Sequence, residues 1–141
     1  MTTTTREQLN SYGAPYLPGH LGVEILTLSK GLVESRMSVA KHVMAPNGYL
    51  HAASVVALAD TSCGYGCRAA LPEGATGFTT IELKANFLGT ARDGAIVCRA
   101  TPTHLGRTTQ VWDALVSVEG SDVRIAAFRC TQMVLWPKPK A

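Results

Sequence analysis

Val33, Ser35, Met37 and Val39 alternate with Glu34, Arg36 and Ser38, the period of a half-buried strand, and the β-compatible run GVEILTLSKG before them ends in a Lys30-Gly31 turn. This predicts a β-hairpin. MAPNGYL follows, a loop by its Pro46-Asn47-Gly48 core. The next stretch, HAASVVALADTSCGYGCRAAL from His51 to Leu71, is apolar almost all the way round a helix and is stopped by Pro72 and Gly74. It is too long for a buried strand, and a helix apolar on every side must be enclosed by protein. The remainder reads as strands. GFTTIELKANFLG sets Ile81, Leu83, Ala85 and Phe87 on one face and Thr80, Glu82, Lys84 and Asn86 on the other. GAIVCRATPTHLG, RTTQVWDALVSVE and VRIAAFRCTQMVLW come next, separated by turn signals at Arg92-Asp93-Gly94, Gly106 and Glu119-Gly120-Ser121, and Pro102 suggests an edge position or a bulge.

The expected order is β-β-α-β-β-β-β, an α+β fold in which four consecutive strands form an antiparallel meander and one sheet curls round one buried helix. Residues 1–20 read as an N-terminal arm or short helix, 21–136 as the folded domain and 137–141 as a basic tail. With 141 residues and 46% hydrophobic content there is core for one compact domain. MTTTTREQLN lacks the form of a signal peptide, and the longest apolar segments are interrupted by polar residues, so a cytoplasmic protein without a membrane partner is expected. Cys63, Cys67, Cys98 and Cys130 form no CxxC pair and have no histidine at zinc-finger spacing, so they read as small buried apolar residues, with no metal and no cofactor expected. A net charge of +3 with scattered basic residues argues against nucleic acid and leaves room for an anionic small molecule.

Asp60 lies in the middle of the apolar helix, among Val56, Ala57, Leu58, Ala59 and Cys63. Burying an unpaired carboxylate is costly, so either it is tied to a backbone amide or an arginine, or it serves chemistry with a raised pKa. Ser54, three residues after His51, lacks a G-x-S-x-G setting for a nucleophile, and Cys63 and Cys67, four apart, are better read as core than as redox groups. His20, His42 and His104 fall in or near loops and read as solvated.

PNGYLHAASVVALADTSCGYG, the following TTIELKANFLGTA and the turn LGRTTQV together resemble the hotdog-fold acyl-CoA thioesterases of the phenylacetate-pathway (PaaI-like) group. That pattern has a His-Gly-Gly turn opening the central helix, an acidic residue nine positions after the His, a strand of the type T-V-E-L-K-x-N-F-L-x-P-A and a G-R-x-T turn. The resemblance spans about residues 20–135 and implies a hotdog fold, an antiparallel sheet wrapped around one long helix. It departs at Ala52-Ala53, at Gly89-Thr90-Ala91, and at Ala45, where many relatives carry Asn or Gln six positions before the His; Asn47 lies four before it.

The resemblance implies hydrolysis of a small aromatic or short to medium-chain acyl-CoA, with Asp60 as general base or nucleophile. The backbone amides of Ala52 and Ala53 at the helix start would grip the thioester oxygen as it becomes an oxyanion. His51 would shape that turn or take part directly, Asn47 would stand in for the missing amide side chain, and Thr80 would orient water. Arg107, with Arg92 and Lys84, would meet the coenzyme A phosphates. Nine residues at ~1.5 Å rise and about 100° each put His51 and Asp60 roughly 13 Å apart on opposite sides of one helix. A site using both therefore needs two chains about a twofold axis, and a homodimer, itself pairing into a dimer of dimers, is expected. The alternatives are a non-catalytic acyl-CoA binding domain and a hotdog dehydratase or hydratase.

Overall fold

The computed structural model describes residues 3–140; Met1 and Thr2 of the expected arm and Ala141 of the expected tail lie outside the described residues. The elements are α1 (Arg6–Gly13), α2 (Leu17–Leu21), β1 (Glu24–Ser29), β2 (Leu32–Ser38), α3 (Ala52–Ala69), β3 (Gly77–Phe87), β4 (Ala95–Leu105), β5 (Thr109–Val118) and β6 (Arg124–Leu135). The strands form one antiparallel sheet in the order β1-β2-β4-β5-β6-β3, wrapped on α3 in the hotdog arrangement.

The β1-β2 hairpin turns at Gly31, whose φ of 74° suits a residue without Cβ. Val33, Ser35 and Met37 point inward and are buried, and in register opposite them stand the equally buried Ala100, Cys98 and Ile96 of β4. That match seats β4 beside β2. The expected meander of four consecutive strands is therefore corrected: only β4-β5-β6 is one, and β3 is displaced to the far edge, where it pairs with β6. Pro102 marks a bulge between β4 and β5.

A second bulge has more consequence. In β3 the register against β6 slips between Thr80 and Glu82, so that Thr80 faces Gln132 while Leu83 faces Cys130 and Ala85 faces Phe128. Gln132, Cys130 and Phe128 are all buried, so the slip reverses the face of Thr80. The threonine shares the inward side with Leu83 and Ala85; the expected grouping of Thr80 with Glu82, Lys84 and Asn86 is corrected.

The core lies between α3 and the sheet. Val55, Leu58, Ala59, Cys63 and Cys67 are buried against Trp112, Ile96, Val116, Ile125 and Phe128, and full burial of each larger side chain contributes about 1.5–3 kcal/mol. Helix and sheet approach closely because Gly66 has no side chain: a Cβ there would sit 2.5 Å from the Trp112 ring. Ser62 is accommodated by donating to Leu58 O at 2.7 Å and by a 2.6 Å bond to Ser35 Oγ. The expectation that α3 is enclosed on every side is corrected for the single chain. Ala52 and Ala53 are exposed, and Val56, Ala57, Asp60 and Thr61 are half-buried, a stripe along one side of the helix.

Before β1 the chain forms two short helices, α1 (Arg6–Gly13) and α2 (Leu17–Leu21), where an arm or short helix is expected. Helix α1 opens on a Thr5/Gln8 capping box and lies along β1. Asn10 bonds both the N–H and the C=O of Ile25, at 2.8 and 3.0 Å, and Arg6 donates to Leu26 O at 2.8 Å. One sheet edge is thus covered. At the other, β3 ends the strand order with Ile81, Leu83, Phe87 and Leu88 all exposed.

Candidate active site

Helix α3 begins at a built turn. Ala45 N–H donates to Tyr49 O, Tyr49 N–H to Asn47 Oδ1, and Leu50 N–H to Ala91 O, which ties the loop to the segment after β3. His51 is the N-cap residue, at φ −71° and ψ 136°, and its Nδ1 accepts the Ala53 N–H at 2.9 Å. His51 O accepts from Ser54 N–H and Val55 N–H, and the Ala52 N–H meets no acceptor among the described residues. The free donor at the positive end of α3 is therefore Ala52 alone; Ala53, expected to share that role, already serves the cap. Neither alanine is strained, since no non-glycine residue among those described has a positive φ. Ser54 is buried and its hydroxyl donates to Val43 O at 2.7 Å, which leaves it no part as a nucleophile.

Asp60 stands over β3. Its Oδ1 accepts from Thr80 Oγ1 at 3.0 Å, and its carboxyl is tied to no cation among the described residues; the ion pairs are Arg6–Glu7, Arg36–Glu119, Arg99–Glu34 and Arg129–Asp113. Burial pushes the Asp60 carboxyl above the ordinary carboxylate range, and the Thr80 hydroxyl offsets part of that rise. Thr80 Oγ1 also lies 2.9 Å from Gln132 Oε1.

The fold thus brings Asp60 and Thr80 together and gathers Asn47, Arg92, His51 and Ala52 around the start of α3. Asn47 is exposed and its carbonyl oxygen shapes the loop, while the Arg92 guanidinium stacks 4.5 Å over the Tyr49 ring. Arg107 lies at the other end of the sheet, 4.1 Å over Trp136, near the end of α3 where Gln110 bonds Ala70 O. Lys84, expected with Arg92 and Arg107 to meet the coenzyme A phosphates, lies on the outer face of β3. It pairs in register with Arg129, and an open groove of about 480 Å³ there is lined by Lys84, Arg99, Asp113 and Arg129.

Gln132 joins the site from β6 through Thr80. Its signal is a glutamine in the inward series Ala126, Phe128, Cys130, Gln132, Val134 of β6, otherwise apolar or thiol. The four cysteines are free and buried, and burial pushes the Cys67 and Cys98 thiols up to about 12, which keeps them protonated and unreactive.

A family model described as the thioesterase superfamily matches residues 47–125, from the loop before α3 to β6. A protein of Haemophilus influenzae described as a putative esterase is 37% identical over 117 residues, 83% of this chain and 84% of its own. A 1,4-dihydroxy-2-naphthoyl-CoA hydrolase of Listeria monocytogenes is 30% identical over 111 residues, 79% of this chain and 89% of its own. Among solved structures, a Haemophilus influenzae thioesterase superposes with a TM-score of 0.88 at 34% identity, covering 95% of this chain and 92% of that one. With the hotdog sheet, the central helix and these relatives in agreement, the chain belongs to the thioesterase superfamily and is a thioester hydrolase.

Proposed function

We propose that the protein hydrolyses acyl-CoA thioesters, taking a small aromatic or short to medium-chain acyl group, in sites shared between two copies of the chain. The observation that carries this reading is Asp60: a carboxyl set in an apolar helix, without a cation, with a hydroxyl as its partner and with its pKa held up by burial. A carboxylate used only for structure is normally matched by a cation or by backbone N–H groups, whereas a raised pKa makes an ionised Asp60 a stronger base. The Listeria relative is by its name a hydrolase of an aromatic CoA thioester, which supports CoA as the leaving group and an aromatic acid among the products.

The Ala52 N–H at the start of one α3 holds the carbonyl oxygen, and Asp60 of the other copy acts on the carbonyl carbon. As base, Asp60 takes a proton from the attacking water; the C–S bond breaks and coenzyme A leaves as its thiol with that proton. As nucleophile, its carboxylate attacks the carbonyl carbon and expels coenzyme A as the thiolate, leaving an acyl-aspartyl anhydride; water then opens the anhydride, giving the free acid, Asp60 and a proton that makes coenzyme A the thiol. Thr80 orients the carboxylate through its hydroxyl. The pairing of copies is supported by the uncovered β3 edge, its exposed Ile81, Leu83 and Phe87, and the open stripe on α3. Arg92 and Arg107 are the cations offered to the coenzyme A phosphates, and a second pairing of dimers completes the assembly we propose.

The test is thiol release from a panel of acyl-CoAs by the wild-type protein and Asp60→Asn. Turnover that the variant loses, with acyl-CoA binding and assembly mass unchanged, is expected. Turnover that survives the variant overturns the role of Asp60, and binding without turnover by the wild type establishes a carrier instead. Single-turnover reaction in H₂¹⁸O tests the nucleophilic route: label in the Asp60 carboxyl group requires an anhydride opened by water at its aspartyl carbon, whereas opening at the acyl carbon or direct hydrolysis puts the label in the released acid.

A further inference from the structure

Three inward side chains form one row across neighbouring strands: Gln110 on β5 opposite Gln132 on β6, and Gln132 opposite Thr80 on β3. Both glutamines are fully buried. An amide in such a place costs stability unless each end has a partner. Gln110 has a partner at each end: it donates to Ala70 O at 3.1 Å and accepts Trp112 Nε1–H at 2.9 Å. Gln132 has instead Thr80 Oγ1 at 2.9 Å and Cys130 Sγ at 3.4 Å. A polar line therefore runs from the Asp60 carboxyl through Thr80 and Gln132 into the core.

The protons along that line can be counted. Thr80 has one hydroxyl proton and two oxygens before it, Asp60 Oδ1 and Gln132 Oε1. With Asp60 protonated, the carboxyl donates to Thr80, Thr80 donates to Gln132 Oε1, and the Gln132 N–H group donates to Cys130 Sγ, which is the amide orientation found here. With Asp60 ionised, Thr80 must donate to the carboxylate, and two oxygens would then face each other with no proton between them. Turning the Gln132 amide over removes the conflict: its N–H group donates to Thr80, and the Cys130 S–H donates to its oxygen. In both arrangements a proton lies between Gln132 and Thr80 and another between Gln132 and Cys130, and the two differ by half a turn of one side chain.

We propose that Gln132 is a positioning residue for the hydrolysis, holding the Thr80 hydroxyl on Asp60 in both protonation states by reversing its amide as the carboxyl gains or loses its proton. This rests on Asp60 being the reacting carboxyl. The titratable groups that feel its charge are Cys63 on its own helix and Cys130 on β6, which also feels Glu82 of β3. Thr80 is the partner to which Asp60 is directly bonded. Gln132 can therefore reach the carboxyl by way of Thr80, and a residue that merely fills its space would not share that dependence.

The experiment follows Asp60 in protein carrying ¹³C-labelled aspartate, by NMR titration of the wild type, Gln132→Met, Thr80→Val and the double variant, beside the pH profile of kcat/KM on an acyl-CoA. Each single variant is expected to move the Asp60 midpoint, and the double variant to match Thr80→Val alone. Gln132→Met is expected to lower kcat about tenfold with KM held within about twofold, the mark of a misdirected group rather than a lost binding contact. Shifts that add, or a midpoint and kcat that Gln132→Met leaves alone, overturn the proposal. Should Gln132→Met fail to fold, Gln132→Glu keeps the size and places a second carboxylate before the same Thr80 proton; the Asp60 midpoint must then rise, and an unmoved midpoint overturns the proposal equally. The titration needs no substrate. A wild type that shows the coupling yet releases no thiol would therefore sink the thioesterase reading of Asp60 and leave the link to Gln132 standing.

Discussion

His51 Nδ1 accepts the Ala53 amide at 2.9 Å, so the histidine at the start of α3 acts as a helix cap and leaves the Ala52 amide as the open donor. Capping and chemistry can be separated by substitution. His51→Ala removes the acceptor and is expected to destabilise the fold by about 1 kcal/mol, whereas His51→Asn keeps a strong N-cap and is expected to stay within about 0.5 kcal/mol of wild type. Chemical denaturation reads both. If the cap is the whole of its role, His51→Asn also keeps acyl-CoA turnover within a few fold; a large loss in a fully stable His51→Asn protein would assign the imidazole a direct part.

Asp60 links stability to pH with a definite sign. Its folded-state pKa lies above the ordinary carboxylate value because burial disfavours the charge. The folded chain therefore holds that proton more tightly than the unfolded chain. This contribution to stability is complete below the unfolded value and is lost as pH rises through the raised folded value, so that at neutral pH the ionised group weakens the fold. Asp60→Asn is expected to melt above wild type at pH 7, and the gap should close below about pH 3, where both side chains are neutral. Melting curves across that range check it; a variant less stable at pH 7 would mean that the charge has a partner in the assembled protein.

Much of this was legible in the chain itself, and what was not has a physical reason. The hairpin at Lys30-Gly31 and the limits of α3 follow from local signals, period-2 alternation in one case and the Pro72 and Gly74 stop in the other. Asp60 stood out because a carboxyl among Ala, Val and Cys conflicts with its surroundings. The place of β3 at the sheet edge did not follow, since it depends on β4 matching β2 across the fold, a pairing between distant segments. Strict alternation puts Thr80 on the polar face, and one bulge residue reverses it toward Asp60. Gln132 could be noticed as a polar interruption of an inward series, yet its partner is fixed by that same bulge.

The contact between α3 and the sheet depends on Gly66. A Cβ added there would lie 2.5 and 2.6 Å from the Trp112 ring, too close for the ring to remain where its Nε1–H reaches Gln110. Gly66→Ala improves helix propensity by up to about 1 kcal/mol, but overpacking costs about 1–3 kcal/mol and should win because Trp112 is itself buried on all sides. The expected result is a net loss of stability in urea together with an altered near-ultraviolet tryptophan signal. A more stable variant with an unchanged spectrum would mean that helix and sheet have room to part.

Sharing of the site between two chains can be decided by complementation. Ala52 is the first residue of α3, the position where proline is best tolerated, and His51 before it already has the extended backbone that a following proline requires. Ala52→Pro should thus delete the proposed oxyanion donor while leaving the helix intact, and it is expected to be inactive but folded, as is Asp60→Asn. In a dimer of one Ala52→Pro chain and one Asp60→Asn chain, each shared site takes Ala52 from one copy and Asp60 from the other. One of the two sites then receives both intact groups and the other receives neither. Random reassociation of equal amounts makes half the dimers mixed, so about a quarter of wild-type activity should return. A site built within one chain would leave every mixed dimer inactive, and the absence of recovered activity after verified subunit exchange would show that each copy works alone.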